Sequence, residues 1–358
     1  MHVRRTTTGL AAALTTALAL ALACAAPALA AAPDAAHASA GHASAAHVSA
    51  GHASATKVSA AAQDAALRFW TPQRLRAARD VTSLAVPDGA APPRTAPAAT
   101  AGQHPVLVPP ALGPAAATSR TANGTSAAPA VSSPGAWNGG GLIATTAGKV
   151  FFQNASGGTF ACSATVANSN NKSVVLTAGH CVVNAGTGEV YRNWVFIPGY
   201  GNGNRPFGTF TAQTLFHDGQ YVSTGGNANY DFAFARVAPL NGRTLVDTVG
   251  AEGIAFNSPT GQFVYSFGYG GSAAEGGGER LNYCTGTEFP DAGRAGSTMW
   301  GIDCVQTGGS SGGGFLSNFN ASGGGGYLVG NISVSAGSNE YHPYLGNEAL
   351  SLYQQAGA

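Results

Sequence analysis

From about Trp137 onward the chain alternates short runs of β-branched and aromatic residues with turns rich in Gly and Asn. The runs read "KVFF", "ACSATV", "SVVLTA", "VYRNWVFI", "GTFTAQTLF", "DFAFARV", "FVYSFGY" and "YLVGNISVS". Runs of this length bounded by turn residues predict strands. No helical period emerges until "LGNEALSLYQQ" near the C-terminus, which predicts one closing helix. Many short strands over residues 137–358 predict an all-β barrel or sandwich domain, long enough to bury a substantial core.

The upstream pattern is different. Residues 37–60 repeat with period five, "HASAG HASAA HVSAG HASAT KVSA", with His37, His42, His47 and His52 opening four units. Five residues advance a helix by about 140° net, so these histidines would spiral rather than line a face. The composition predicts a disordered spacer of small polar residues. Between 63 and 84, Leu67, Phe69, Trp70, Leu75 and Val81 form an apolar set interleaved with four arginines. Thr71-Pro72 has the form of an N-cap followed by Pro at N1, so a short helix is expected near 69–81. Residues 85–136 hold ten prolines and show no period, which predicts a linker.

Composition narrows the compartment. Only 9% of residues are charged and 51 are Gly, a balance suited to an extracellular β protein. Residues 1–137 hold 9 Lys/Arg against 4 Asp/Glu and residues 138–358 hold 8 against 12, so neither part is basic enough for nucleic acid. Arg4 and Arg5, the apolar run Gly9 to Cys24 and the small residues of Ala28-Leu29-Ala30 predict a secretory signal over 1–30, cleaved after Ala30. No later apolar run approaches the roughly 20 residues that span a bilayer, so stable membrane association is not expected once the signal is cleaved. Loss of Cys24 leaves Cys162, Cys181, Cys284 and Cys304. An even number in an oxidising compartment implies two disulfides. Of three pairings, the sequence-local one, Cys162–Cys181 and Cys284–Cys304, is favoured; a four-thiolate zinc site would need close CxxC pairs that the chain lacks.

Three short stretches carry candidate chemistry. His180 ends the strand-like "SVVLTAGHC", a rigid mount for a general base. Asp231 in "NANYDFAFARV" leads an apolar run, where a carboxylate needs a hydrogen-bonded or charged partner. "QTGGSSGGG", residues 306–314, has the look of a linker, yet G-x-S-G-G fits it in one register, Gly309-Ser310-Ser311-Gly312-Gly313. Glycines there let the backbone form a tight loop whose N–H groups face a developing oxyanion. Ser311 is therefore the candidate nucleophile.

The conjunction of "TAGHC", "NYDFAF" and "GSSGG", in the order His, Asp, Ser, resembles the chymotrypsin/trypsin family of serine peptidases and within it the secreted bacterial members. The resemblance spans roughly Gly148 to Ser351. It implies two six-stranded antiparallel β-barrels with the site between them, and a secreted monomer, needing no cofactor or metal, that cleaves polypeptide substrates. His180 would be the base, Asp231 its orienting carboxylate and Ser311 the nucleophile, with the N–H groups of Gly309 and Ser311 as the oxyanion hole. Cys162 and Cys181 match the family's disulfide bracketing the histidine. Ser333, Val334 and Ser335 resemble the substrate-binding segment, and Val305 stands at the floor of the specificity pocket. Residues 31–136 would be a pro-region. Several positions depart from the pattern. Ser310 replaces the acid that pairs with a newly cut N-terminus, Gly314 replaces a proline, and Ile332 replaces the histidine of glutamate-specific relatives. Val305 carries no charge to select Lys or Arg, although Asp303 lies close in sequence. A catalytically silent binding protein and an esterase-type hydrolase are the alternative readings of the same residues.

Overall fold

The computed structural model describes residues 52–81, 104–114 and 131–358, together with the backbone of 47–50. All the described residues fall in one compact unit, 43–358. The expected signal peptide, the first repeats of the His-Ala-Ser tract, residues 82–84, and residues 85–103 and 115–130 of the expected linker lie outside the described residues.

Among the described residues, the β-rich region is preceded by β1 (His47–Ala50), β2 (Ala53–Lys57), α1 (Ala60–Phe69), α2 (Pro72–Ala77), β3 (Arg79–Asp80), β4 (Val106–Val108) and β5 (Val131–Ala136). Six strands come next: β6 (Ala147–Gln153), β7 (Thr159–Ala167), β8 (Val174–Thr177), β9 (Arg192–Pro198), β10 (Phe210–Asp218) and β11 (Ala233–Val237). These six close an antiparallel ring in the order β6-β7-β8-β11-β10-β9 and back to β6. The ring closes through a short β9–β10 pairing, and inward residues such as Val150, Phe152, Val175, Phe196, Phe210 and Ala235 fill it.

The second half contains β12 (Gly253–Phe256), β13 (Phe263–Gly268), β14 (Asn282–Thr287), β15 (Phe289–Pro290), β16 (Trp300–Ile302), β17 (Gly314–Asn320), β18 (Gly325–Asn331), β19 (Val334–Ala336) and β20 (Asn339–His342). Their pairing gives two sheets, β4-β12-β18-β17-β13-β14-β5 and β15-β16-β20-β19. The second half is thus two hydrogen-bonded sheets that meet in one core, where Val264, Cys284, Ile302, Cys304, Phe315 and Val329 pack. The expected closing helix runs Asn347–Gly357, and its Ala349, Leu352, Tyr353 and Ala356 pack with Phe234 and Phe256.

Three upstream expectations are corrected. The helix expected near 69–81 starts at the expected cap, where Thr71 Oγ1 accepts from the N–H of Arg74 at 3.2 Å, but it ends at Ala77. The chain then extends into β3, and a separate helix, α1, precedes it. The described end of the His-Ala-Ser tract is a hairpin, not a spacer. β9 covers only Phe210 and Thr211 of the nine-residue β10, and β2 satisfies the remaining edge from Thr214 to Asp218. Unpaired edge groups supply a partner that weak strand formers such as Ala and Ser do not specify by themselves. The expected linker likewise contributes β4 and β5 to the second half.

Candidate active site

β8 runs directly into a single 3-10 turn, Gly179–Cys181, that carries His180. The turn is tied to β7 by the disulfide Cys162–Cys181, and the Trp194 indole N–H donates to Cys181 O at 3.0 Å. Asp231 comes after a second 3-10 turn, Ala228–Tyr230, capped by the Asn227 side chain. The two turns bring their side chains together. His180 Nδ1 lies 2.7 Å from Asp231 Oδ2, and the His180 backbone N–H donates to Asp231 Oδ1 at 2.8 Å. Gly179 permits this approach: a Cβ there would stand 3.0 Å from Asp231 Oδ1 and 3.2 Å from Tyr221 Cδ1. His180 is 2% and Asp231 1% exposed, so water does not compete for the pair. His180 Nε2 is buried without a hydrogen-bond partner among the described residues.

"QTGGSSGGG" is no spacer, for Gly309 to Phe315 are buried without a break. The Ser163 N–H donates to Ser311 O at 2.7 Å, and Ser163 Oγ donates to Gly309 O at 2.8 Å. Cys181 Sγ stands 3.7 Å from Ser311 O, which sets Ser311 beside the histidine turn; oxidised, that sulfur has no proton to give. Gly312 adopts φ +85°, and a Cβ there would run into Thr177 Oγ1 and Ser163 O. Ser310 turns away into its own loop, donating to Thr307 O at 2.7 Å.

Both favoured disulfides form, Cys162–Cys181 and Cys284–Cys304, with Cα atoms 6.2 and 5.9 Å apart. The four-thiolate zinc alternative therefore fails, since all four sulfurs are oxidised. Cys162, His180 and Cys181 do cluster, but two of the three cannot ligate for the same reason.

Ser333 has a task beyond the one expected of it. Its hydroxyl donates to Asp231 Oδ2 at 2.5 Å, and Asn331 Nδ2 donates to Asp231 O at 3.0 Å. Val334 and Ser335 form β19, the edge of the smaller sheet, opposite Tyr341 and Glu340 of β20. Val305 is half-buried, and Asp303 is exposed, with its carboxylate accepting from Ser338 Oγ at 2.8 Å. The neighbouring Gln306 is held by a different acid, Glu340, which nothing in "SNEYH" singles out. Its carboxylate accepts from the Gln306 N–H at 2.9 Å and from Ser266 Oγ. Complete burial raises its pKa to about 7.

The N-terminal segment reaches the same place. β3 pairs in parallel with Phe160–Ala161 of β7, and the Val81 N–H donates to Ala161 O at 3.2 Å. Val81 is buried with Phe160, Cys162 and Cys181. A Cβ on Gly309 would meet Asp80 Oδ1 at 2.7 Å. Burial raises the Asp80 pKa, with Lys149 opposing and Glu275 and Glu279 adding to the rise.

Solved structures of bacterial serine proteases share this fold. The crystal structure of the protease Anisep from Arthrobacter nicotinovorans matches at 38% identity, covering 60% of this chain and 95% of that one, with a TM-score of 0.56. The thermostable serine protease AL20, from an extremophilic microorganism, matches at 34% identity, covering 60% and 98%, with a TM-score of 0.56. No family model matches the chain, and no curated protein does.

Proposed function

The chain belongs to the chymotrypsin/trypsin family of serine peptidases, and we propose that it is a secreted serine endopeptidase made as a precursor. Ser311 is the nucleophile, His180 the general base and Asp231 the carboxylate that orients it. Ser311 Oγ attacks the scissile carbonyl carbon as His180 Nε2 takes its proton. The imidazolium so formed is stabilised by Asp231 through Nδ1. Negative charge on the former carbonyl oxygen is met by the N–H groups of Gly309 and Ser311. Collapse breaks the C–N bond, His180 returns the proton to the leaving amine, and water then hydrolyses the acyl-enzyme by the same relay.

The observation that carries this reading is the buried His180–Asp231 pair, with Nε2 left unpartnered among the described residues and the adjoining Cys181 Sγ 3.7 Å from Ser311 O. Two disulfides support an oxidising, extracellular destination. Residues 1–30 act as the signal peptide and 31–136 as the pro-region. Arg79–Val81, lying along β7 beside Gly309, keep the cleft covered until the segment departs. A fluorophosphonate probe is the direct test. It should label the wild type and Ser310→Ala but leave Ser311→Ala unlabelled, read by mass spectrometry of the tryptic peptide. Label found on Ser311→Ala would end the assignment.

A further inference from the structure

The loop that presents Ser311 is held by two carboxylates that no sequence motif announces. Glu275 lies in the glycine-rich excursion 270–278 and is 2% exposed; Glu340 lies on β20 and is fully buried. Glu275 Oε1 accepts from the Thr307 N–H at 3.0 Å, while its Oε2 accepts from Thr307 Oγ1 and, at 2.6 Å, from Ser272 Oγ. Glu340 Oε2 accepts from the Gln306 N–H at 2.9 Å, and its Oε1 accepts from Ser266 Oγ, which in turn accepts from Gln306 Nε2 at 3.1 Å. Two successive peptide N–H groups are thereby fixed from outside the loop.

Next along the chain comes the candidate oxyanion hole. Thr307 O accepts from the N–H of Ser310 at 3.2 Å and from its hydroxyl at 2.7 Å. That turn sets Gly309 at φ +95° and leads into Ser311. Gly271 N–H donates to Gly308 O at 2.8 Å and Ser272 N–H to Thr307 Oγ1 at 2.9 Å, so three residues of the same excursion clasp the loop. Carboxylate oxygens are strong acceptors, and two bonds in sequence resist rotation of the peptide planes they pin.

We propose that Glu275 and Glu340 are positioning residues for the reaction: by holding the N–H groups of Thr307 and Gln306 they shape the turn that aims the Gly309 and Ser311 N–H groups. The loop is consequently formed in the uncut chain and needs no newly released N-terminus, in keeping with the absence of an acid at Ser310. The proposal takes its catalytic meaning from the serine-peptidase reading.

The test uses protein expressed as the full chain carrying Glu275→Ala, Glu340→Ala or their Gln counterparts, with hydrogen exchange read on the uncut chain and labelling and kinetics read after the leader has been released. Glu252→Ala is the control for stability alone, because Glu252 is equally buried but bonds Thr146 Oγ1 and Gly326 N. Hydrogen exchange is read by mass spectrometry on peptides spanning 306–311, and kcat and KM on a peptide substrate. Each loop alanine variant should raise exchange in that peptide and lower kcat by about a hundredfold, as loss of oxyanion alignment does, with KM within about threefold. The Gln variants, which keep one acceptor oxygen, should recover about tenfold of that loss. Glu252→Ala should lower the unfolding midpoint without changing either readout. Unchanged exchange at 306–311, or a kcat loss for Glu252→Ala equal to that of the loop variants, overturns the proposal. If an alanine variant does not fold, its Gln counterpart decides by the same two readouts, and wild-type values for both overturn it. A wild type without any Ser311 labelling or hydrolysis would refute the peptidase reading, while the exchange data would still judge the positioning claim.

Discussion

Asp231 Oδ2 receives two groups at once, His180 Nδ1 at 2.7 Å and the Ser333 hydroxyl at 2.5 Å. Both contacts need the oxygen as an acceptor, and an accepting oxygen selects the tautomer that leaves Nε2 free to take a proton. The two contacts should be separable by mutation. Asp231→Asn exchanges an acceptor for a group that can donate to Nδ1, so kcat should fall by roughly ten-thousandfold. Ser333→Ala removes one charge-assisted bond of about 1.5 kcal/mol, so kcat/KM should fall about tenfold. Steady-state kinetics on one peptide substrate checks both, and equal losses would mean that Ser333 does more than steady the acid. The candidate triad could be read from the chain because each member sits in a local signal: a strand entering a glycine turn, an acid among apolar residues, a serine between glycines. The second role of Ser333 could not, since its partner lies 102 residues away and its neighbours are those of any strand end. Glu275 and Glu340 were hidden for the same reason: they answer backbone N–H groups 32 and 34 residues distant.

At the level of elements, the strands of the domain come from alternation and turn chemistry, whereas the leader owes its structure to what it touches. α1 and α2 put Ala66, Trp70 and Leu75 against Phe151, Val195 and Ile197 on the outside of the closed ring. Trp70 is the anchor. It is 1% exposed, its ring meets Phe69 edge-on and tilts against Phe151, and its indole N–H donates to Asn193 O at 2.5 Å. The sequence marks Trp70 as an apolar residue near a helix start but names no surface for it, because that surface is the outer face of β6 and β9. Trp70→Ala should weaken docking by about 3–5 kcal/mol, the usual cost of deleting a buried aromatic. Limited proteolysis should then cut the leader faster. Because β3 comes directly after α2 and lies beside Gly309, fluorophosphonate labelling of Ser311 should also accelerate. Faster cutting with unchanged labelling would separate the docking of the helices from the covering of the site.

For the whole molecule, one buried acid joins the two halves. Glu252 precedes β12; its N–H donates to Val166 O at 3.0 Å, and its carbonyl accepts from Asn168 N at 2.9 Å, both next to or within β7. Its carboxylate accepts from Gly326 N at 2.8 Å in β18 and from Thr146 Oγ1 at 2.9 Å. Complete burial raises its pKa from 4.5 to about 8, outweighing those two bonds. In the unfolded chain Glu252 ionises near its ordinary value, while in the fold it keeps its proton until about pH 8. Its contribution to stability is therefore complete below about pH 4.5, declines as pH rises and is lost above about pH 8. Glu340, raised to about 7, acts in the same direction over a narrower range. Unfolding free energy from denaturant titrations should accordingly fall between about pH 5 and 8 by more in the wild type than in Glu252→Gln, whose side chain stays neutral throughout. Glu340→Gln should remove a smaller share, and the double variant most of what both contribute, because the two sites share no partner. A wild-type slope that survives in the double variant would place the pH dependence elsewhere, with Asp80 and Asp218, whose pKa values burial also raises, as the next groups to examine.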